Sequence, residues 1–309
     1  MKKYIAILLV AAMATLGISA CRKENSNKET KVQKDSDIKV VTTIFPEYDW
    51  VRQIAGEEAD QMDITMLLDN GVDLHSYQPT AEDIMKVSDC DLFVYVGGES
   101  DAWVDDALKQ AKNKDMQVVD LLDVLGNSAK EEEVIEGMEP EEEEEEPEYD
   151  EHVWLSVKNA EVLSKAIADA LEKADPDHKD IYQENASAYS EKLKDLDAKY
   201  QEVVDGAVDD YGLSYYAAFV GCSAESEASF DTISFLANKV DELGLKDIMA
   251  IENSNQKIAK TIIENTKEKN QKILTLDTMQ STTSDDVKNG TTYLSVMEKN
   301  LEVLKEALQ

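Results

Sequence analysis

DPDHKDIYQENASAYSEKLKDLDAKYQEVVDGA, residues 175–207, is the stretch on which the reading of the fold turns. Asp175-Pro176 supplies the N-cap and first-position pair that a helix start favours. From there Ile181, Ala188, Leu193, Leu196, Tyr200, Val203 and Ala207 recur at helical spacing, with charged residues between them. A helix from Pro176 to about Gly206 is roughly 45 Å long at 1.5 Å per residue. That is long for a small domain, and it suits a strut joining two lobes.

On either side of the strut the pattern is α/β. Residues 38–45 are β-branched and closed by Pro46, and a short helix is expected over 47–55. Further strands are expected over 62–68, 91–96 and 116–119, with Gly97-Gly98 ending the third. Thr80 is a good N-cap, supported by Asp83 three residues on. After the strut, strands are expected over 215–219, 247–251 and 273–276, and helices over 229–243, 256–269 and 292–308. Strands alternating with helices mean βα units and largely parallel sheets. The expected class is therefore α/β: two parallel-sheet lobes, residues 38–174 and 208–309, joined by the 175–207 helix, with a ligand cleft between them.

The N-terminal 37 residues read differently. Lys2 and Lys3 precede an apolar run over 5–16, and Gly17-Ile18-Ser19-Ala20 leads into Cys21. This is the pattern of a signal peptide over 1–20, its apolar run too short to span a bilayer. Its end resembles a bacterial lipobox, which implies cleavage before Cys21 and lipidation of that sulfur; plain secretion with Cys21 unmodified is the alternative. The polar segment 21–37 then serves as a tether. Cys90 and Cys222 are read as buried small hydrophobes rather than a disulfide.

A formal net charge of -35 over 309 residues argues against nucleic acid and points to cations. Much of that charge lies in 131–151, with an unbroken run from Glu141 to Glu146. Such a run repels itself and reads as a surface loop, either a solvated spacer or a loose collector of divalent ions.

Two of the three histidines stand in telling places, and His75 lies beyond the carboxyl end of a strand, where open α/β sheets place ligands. His75 lies between a strand and the Thr80-capped helix, and His152 follows the acidic loop directly. Asp277 follows the strand at 273–276. Imidazoles with a carboxylate form a borderline donor set that suits zinc. His178, in the first turn of the strut, is read as an exposed hydrogen bonder.

The motif Asp73-Leu74-His75-Ser76-Tyr77-Gln78-Pro79-Thr80 resembles the first-ligand loop of the zinc/manganese solute-binding proteins of ABC transporters. Asp150-Glu151-His152-Val153-Trp154-Leu155-Ser156 resembles their second ligand segment, while Thr42-Thr43-Ile44-Phe45-Pro46 and Leu276-Asp277 match further family patterns. The likeness runs from about Ile38 to the C-terminus. It implies His75, His152 and Asp277 as metal ligands, a rigid linking helix, and delivery of the metal by a monomeric, membrane-anchored lipoprotein to an ABC permease. The family's charged loop is often His-rich, whereas here it is glutamate-rich.

One departure bears on the site. The family carries a third ligand on a strand and loop after the linking helix, and here Gly206-Ala207-Val208-Asp209 runs straight into Asp210. Water, Asp209 or Asp210, or Glu225 or Glu227 are the replacements open, Glu227 being preferred among the protein candidates. Two histidines favour zinc, and added carboxylates would tilt the set toward manganese. Metal affinity is expected to fall in acid, because ligands must be deprotonated. Two rival functions stand beside metal capture. A binding-impaired surface adhesin or structural lipoprotein is compatible with the missing segment. A zinc hydrolase is disfavoured, since no His-Glu-x-x-His helix, nucleophile or adjacent general base is present, and the chain is read as no enzyme.

Overall fold

The first strand, β1 (Lys39–Thr42), is the hydrophobic centre of the structure, with Val40, Val41 and Thr42 almost wholly buried. The structure, a computed structural model, describes residues 38–133, 135–138, 149–207, 214–218 and 228–309. β2 (Asp63–Met66), β3 (Leu92–Tyr95) and β4 (Gln117–Asp120) join β1 in a parallel sheet of order β2-β1-β3-β4. The strand order reverses at β1, so the loops after β1 and β3 diverge and open a crevice at their carboxyl ends.

The strand expected over 38–45 stops at Thr42, and Pro46 opens the next helix instead of closing the strand: α1 spans Phe45–Ala55. A proline is tolerated there because the first turn has no intrahelical use for its missing N–H. The buried Glu47 side chain accepts from the Thr43 and Ile44 amides at 2.8 and 3.2 Å, which fixes the helix start. The Thr80 expectation holds in detail. Thr80 and Asp83 form a reciprocal capping box at the head of α2 (Ala81–Asp89). Two short helices follow on the same lobe, α3 (Val104–Lys109) and α4 (Leu121–Leu125).

The long helix is present as α6 (Lys179–Ala207), 29 residues, preceded by a 3-10 turn at Pro176–His178. Its buried stripe is Tyr182, Tyr189, Leu193 and Leu196. Ile181 and Ala188, expected to be inward, face solvent because each lies one residue, about 100° of helical rotation, off that stripe. α6 packs against α5 (Val157–Ala174), a helix not singled out in the sequence, whose Ala160, Leu163, Ile167 and Leu171 are buried.

The second sheet is smaller. β5 (Asp247–Ile251) and β6 (Lys272–Leu276) pair in parallel, as expected, with α7 (Phe230–Leu243) and α8 (Lys257–Asn265) alongside. The strand expected over 215–219 is absent from the described part, residues 214–218, and residue 219 lies outside it. Tyr215 and Tyr216 favour a strand, but Tyr216 sets its ring 6.1 Å from that of Phe235 on α7 instead. A short helix α9 (Ser284–Lys288) leads to α10 (Tyr293–Ala307), which buries Tyr293, Val296, Met297 and Leu301 in the large core rather than the small one. Cys90 is a free, buried thiol, its pKa pushed up to about 12 by burial, in keeping with its reading as a small hydrophobe. Cys21, Cys222 and the Glu141–Glu146 run lie outside the described residues.

Candidate metal centre

His75 sits in a single 3-10 turn, Leu74–Ser76, beyond β2. Asp73 starts that turn by accepting from the His75 amide at 2.9 Å, and Leu74, 1% exposed, anchors it in the core. His152 arises from a similar local device. The Asp150 carboxylate accepts from the His152 amide at 2.9 Å, and the 3-10 turn Val153–Leu155 buries Trp154 completely. Both histidines are thus held by an aspartate two residues earlier and by an apolar anchor one or two residues away.

Their rings converge. The two Nε2 atoms stand 3.2 Å apart, with ring centroids at 5.1 Å and planes inclined at 52°. Zinc binds imidazole nitrogen at about 2.0–2.1 Å, so a point at that distance from both nitrogens subtends an angle of about 100°, near the tetrahedral value. The far nitrogens are held as well. His152 Nδ1 lies 2.8 Å from Asp150 Oδ1, and the hydrogen bond from this ring holds the Asp150 carboxyl below its ordinary range. An imidazole that donates Nδ1–H to a carboxylate presents a bare Nε2 lone pair, the arrangement a metal requires. His75 Nδ1 lies 3.0 Å from Ser100 Oγ and 3.7 Å from Glu151 Oε2.

Asp277 directly follows β6, and burial pushes its carboxyl pKa up. Its Oδ1 accepts from the Met279 amide at 2.8 Å, and Asn300 of α10 bonds both its N–H and its C=O. The loop it opens is tied to both histidine turns. Trp154 Nε1 donates to Thr278 O at 2.9 Å, and Gln280 Oε1 accepts from the Leu74 amide at 3.2 Å. Even so, among the described residues no three His, Cys, Asp or Glu side chains come close enough together to hold one metal ion. The structure brings His75 and His152 together and leaves Asp277 on the neighbouring loop. Asp209, Asp210, Glu225 and Glu227 lie outside the described residues. His178 is at the head of α6, its Nδ1 2.7 Å from Asp175 Oδ2 and its Nε2 3.5 Å from Glu58.

Three buried acids behind the histidines were not singled out in the sequence as part of the site: Glu47, Asp101 and Glu151, all under 10% exposed. Burial, followed by repulsion from Asp101, raises the Glu47 carboxyl. Burial and the nearby Glu151 raise Asp101 to about 7, against the pull of the Gly97 and Val96 amides that it accepts from. A signal for Glu151 was present. It immediately precedes His152, and Gly98, the second glycine of the pair that ends β3, makes room for it.

Comparison with known proteins adds an independent finding. Residues 40–307 match the family described as zinc-uptake complex component A, periplasmic. The zinc-binding lipoprotein AdcA of Streptococcus pneumoniae R6 is 33% identical over 97% of this chain. That relative is longer, and the chain spans only 60% of it. The high-affinity zinc uptake system protein ZnuA of Bacillus subtilis is 30% identical over 99% of this chain and 98% of its own length. Among solved structures, the Zn(II)-bound ZnuA-like domain of the Streptococcus pneumoniae AdcA superposes with a TM-score of 0.68 at 30% identity, covering 88% of this chain and 99% of that one.

Proposed function

This chain belongs to the family of periplasmic zinc-uptake components, and on that premise we propose that it captures a zinc ion outside the cytoplasm and passes it to an ABC-type membrane importer. The observation that carries the reading is the convergence of His75 and His152 through Nε2 atoms 3.2 Å apart, one ring already held by a carboxylate on its far side. Zinc is here the cargo. The two imidazoles supply borderline nitrogen donors, and Asp277, or an acid among 209–227 such as Glu227, completes the set when the loops close on the ion. This donor balance favours zinc over manganese.

Binding without turnover fits the family, whose similar members named above are zinc-binding and zinc-uptake proteins. Capture displaces protons from the ligands, so affinity falls with falling pH. We assign residues 1–20 as an export signal cleaved before Cys21, with a lipid on that cysteine holding a monomeric carrier at the membrane near its permease. Calorimetric titration with zinc, then manganese, tests the reading. One tight zinc site that is lost in His75→Ala supports it, and absence of a single tight site overturns it.

A further inference from the structure

We propose that Glu151 is the positioning residue that locks His75 in its metal-binding tautomer, an inference that rests on the zinc-capture reading. The carboxylate lies in a built pocket. Oε1 accepts from the Ser100 amide at 3.0 Å, and the group presses on Gly98, where a Cβ would lie 2.2 Å from Oε1 and where φ is +79°. Oε2 is buried and, among the described residues, has no hydrogen-bond partner. A carboxylate oxygen in that condition costs stability unless something is to be placed against it. The nearest group of use is His75 Nδ1, 3.7 Å away.

The hydrogen bonds around the pair give this gap a meaning. His152 donates Nδ1–H to Asp150, so its Nε2 is bare. His75 Nε2, 3.2 Å from it, must then carry the hydrogen, and His75 Nδ1 accepts from the Ser100 hydroxyl at 3.0 Å. That tautomer cannot bind a metal through Nε2. For the ion to enter, the His75 ring hydrogen must sit on Nδ1 instead, reached by exchange through solvent. Nδ1–H then needs an acceptor. Glu151 Oε2 is buried, unclaimed among the described residues and faces the ring from 3.7 Å, whereas the Ser100 hydroxyl is already turned as a donor toward Nδ1 and would have to reverse. Closing 3.7 Å to hydrogen-bond distance takes a ring shift of about 1 Å. Each histidine of the pair thereby acquires its own carboxylate, Asp150 for His152 and Glu151 for His75.

The test is zinc affinity and histidine nitrogen NMR on the full chain. Glu151→Leu, which cannot accept, lowers zinc affinity about 10–100-fold, and Glu151→Gln, which accepts through its amide oxygen, stays within about threefold of the wild type. In the zinc-loaded wild type the Nδ1–H proton of His75 resonates downfield; it moves upfield in Glu151→Gln and stays in place in Ser100→Ala. A resonance that responds to Ser100→Ala alone gives the role to the serine and overturns the proposal. So does a Glu151→Leu affinity equal to wild type. If Glu151→Leu does not fold, the resonance in the other two variants still decides. A wild type that binds no zinc defeats the underlying capture reading, which is a different outcome from a wild type that binds and ignores Glu151.

Discussion

Replacing Trp154 by phenylalanine removes the clearest direct tie between the His152 turn and the Asp277 loop. The indole is fully buried, and its Nε1 donates to Thr278 O at 2.9 Å. Phenylalanine keeps an aromatic ring but deletes the donor, which leaves a buried carbonyl unpaired at a cost of about 1–3 kcal/mol. The smaller ring also leaves a void worth about 1 kcal/mol. The expected loss is therefore about 2–4 kcal/mol. With a urea m-value of about 3 kcal/mol/M for a chain of this size, the unfolding midpoint falls by about 1 M at unchanged slope. Far-UV circular dichroism is the appropriate probe, since the substitution alters the fluorescence itself. A midpoint within about 0.2 M of wild type refutes the reasoning, because it means the bond carries no net stability. Zinc titration of the same variant then reads whether the loop matters to the cargo: affinity falls only if Asp277 reaches the ion.

His75→Ala and His152→Ala each lower zinc affinity by on the order of 100-fold or more in calorimetry, while His178→Ala leaves it unchanged; equal losses from all three would sink the assignment. Asp277→Asn, which keeps the bond from the Met279 amide available but removes the charge, lowers affinity by more than about tenfold if this carboxylate completes the set. His178 carries a stability signature instead. The hydrogen bond to Asp175 raises its pKa above the ordinary 6.5, so its contribution is fully present below about pH 6.5 and is lost as pH rises through the raised folded value. His178→Gln accordingly flattens the dependence of the urea midpoint on pH above about 6.5, by a small amount because the ring is 41% exposed.

What the sequence made legible follows from which forces are local. β5 was placed to the residue, because its strand signal is bounded by a helix stop at Gly244 and a turn beyond Ile251. The capping box at Thr80 was legible for the same reason, four residues being enough to write it. The stripe of α6 was misread where tyrosines carry it: Tyr182 and Tyr189 are buried because the α1 and α10 surfaces, both distant in sequence, enclose the strut, while Asp175, seven residues back, accepts the Tyr182 hydroxyl. The two histidines were identified from their motifs, and their approach to 3.2 Å is a tertiary result. Glu151 was hidden for a plainer reason. Beside an acidic run, one more glutamate looks solvated, and only the glycine at position 98 marks the room made for it.

The placement of α10 explains how the Asp277 loop keeps its geometry beside so small a second core. Among the described residues the small core has five buried members, Ile233, Leu236, Ala237, Val240 and Ile262, and the strands of its sheet are only half covered. A site resting on that core would inherit its low local stability. Asp277 does not rest on it. Its backbone is clasped by Asn300 of α10, and two residues on, Met279 is 1% exposed within the large core. α10 is itself pinned there: the Asp49 carboxylate of α1 accepts from the Tyr293 amide at 2.9 Å, and the Tyr293 hydroxyl donates to Trp154 O at 2.7 Å. The chain of contacts thus closes from His152 through Trp154, Tyr293 and α10 back to Asp277, all on the large core. The carboxylate loop beside the histidine pair is thus held independently of α7 and α8, which pack on the small core.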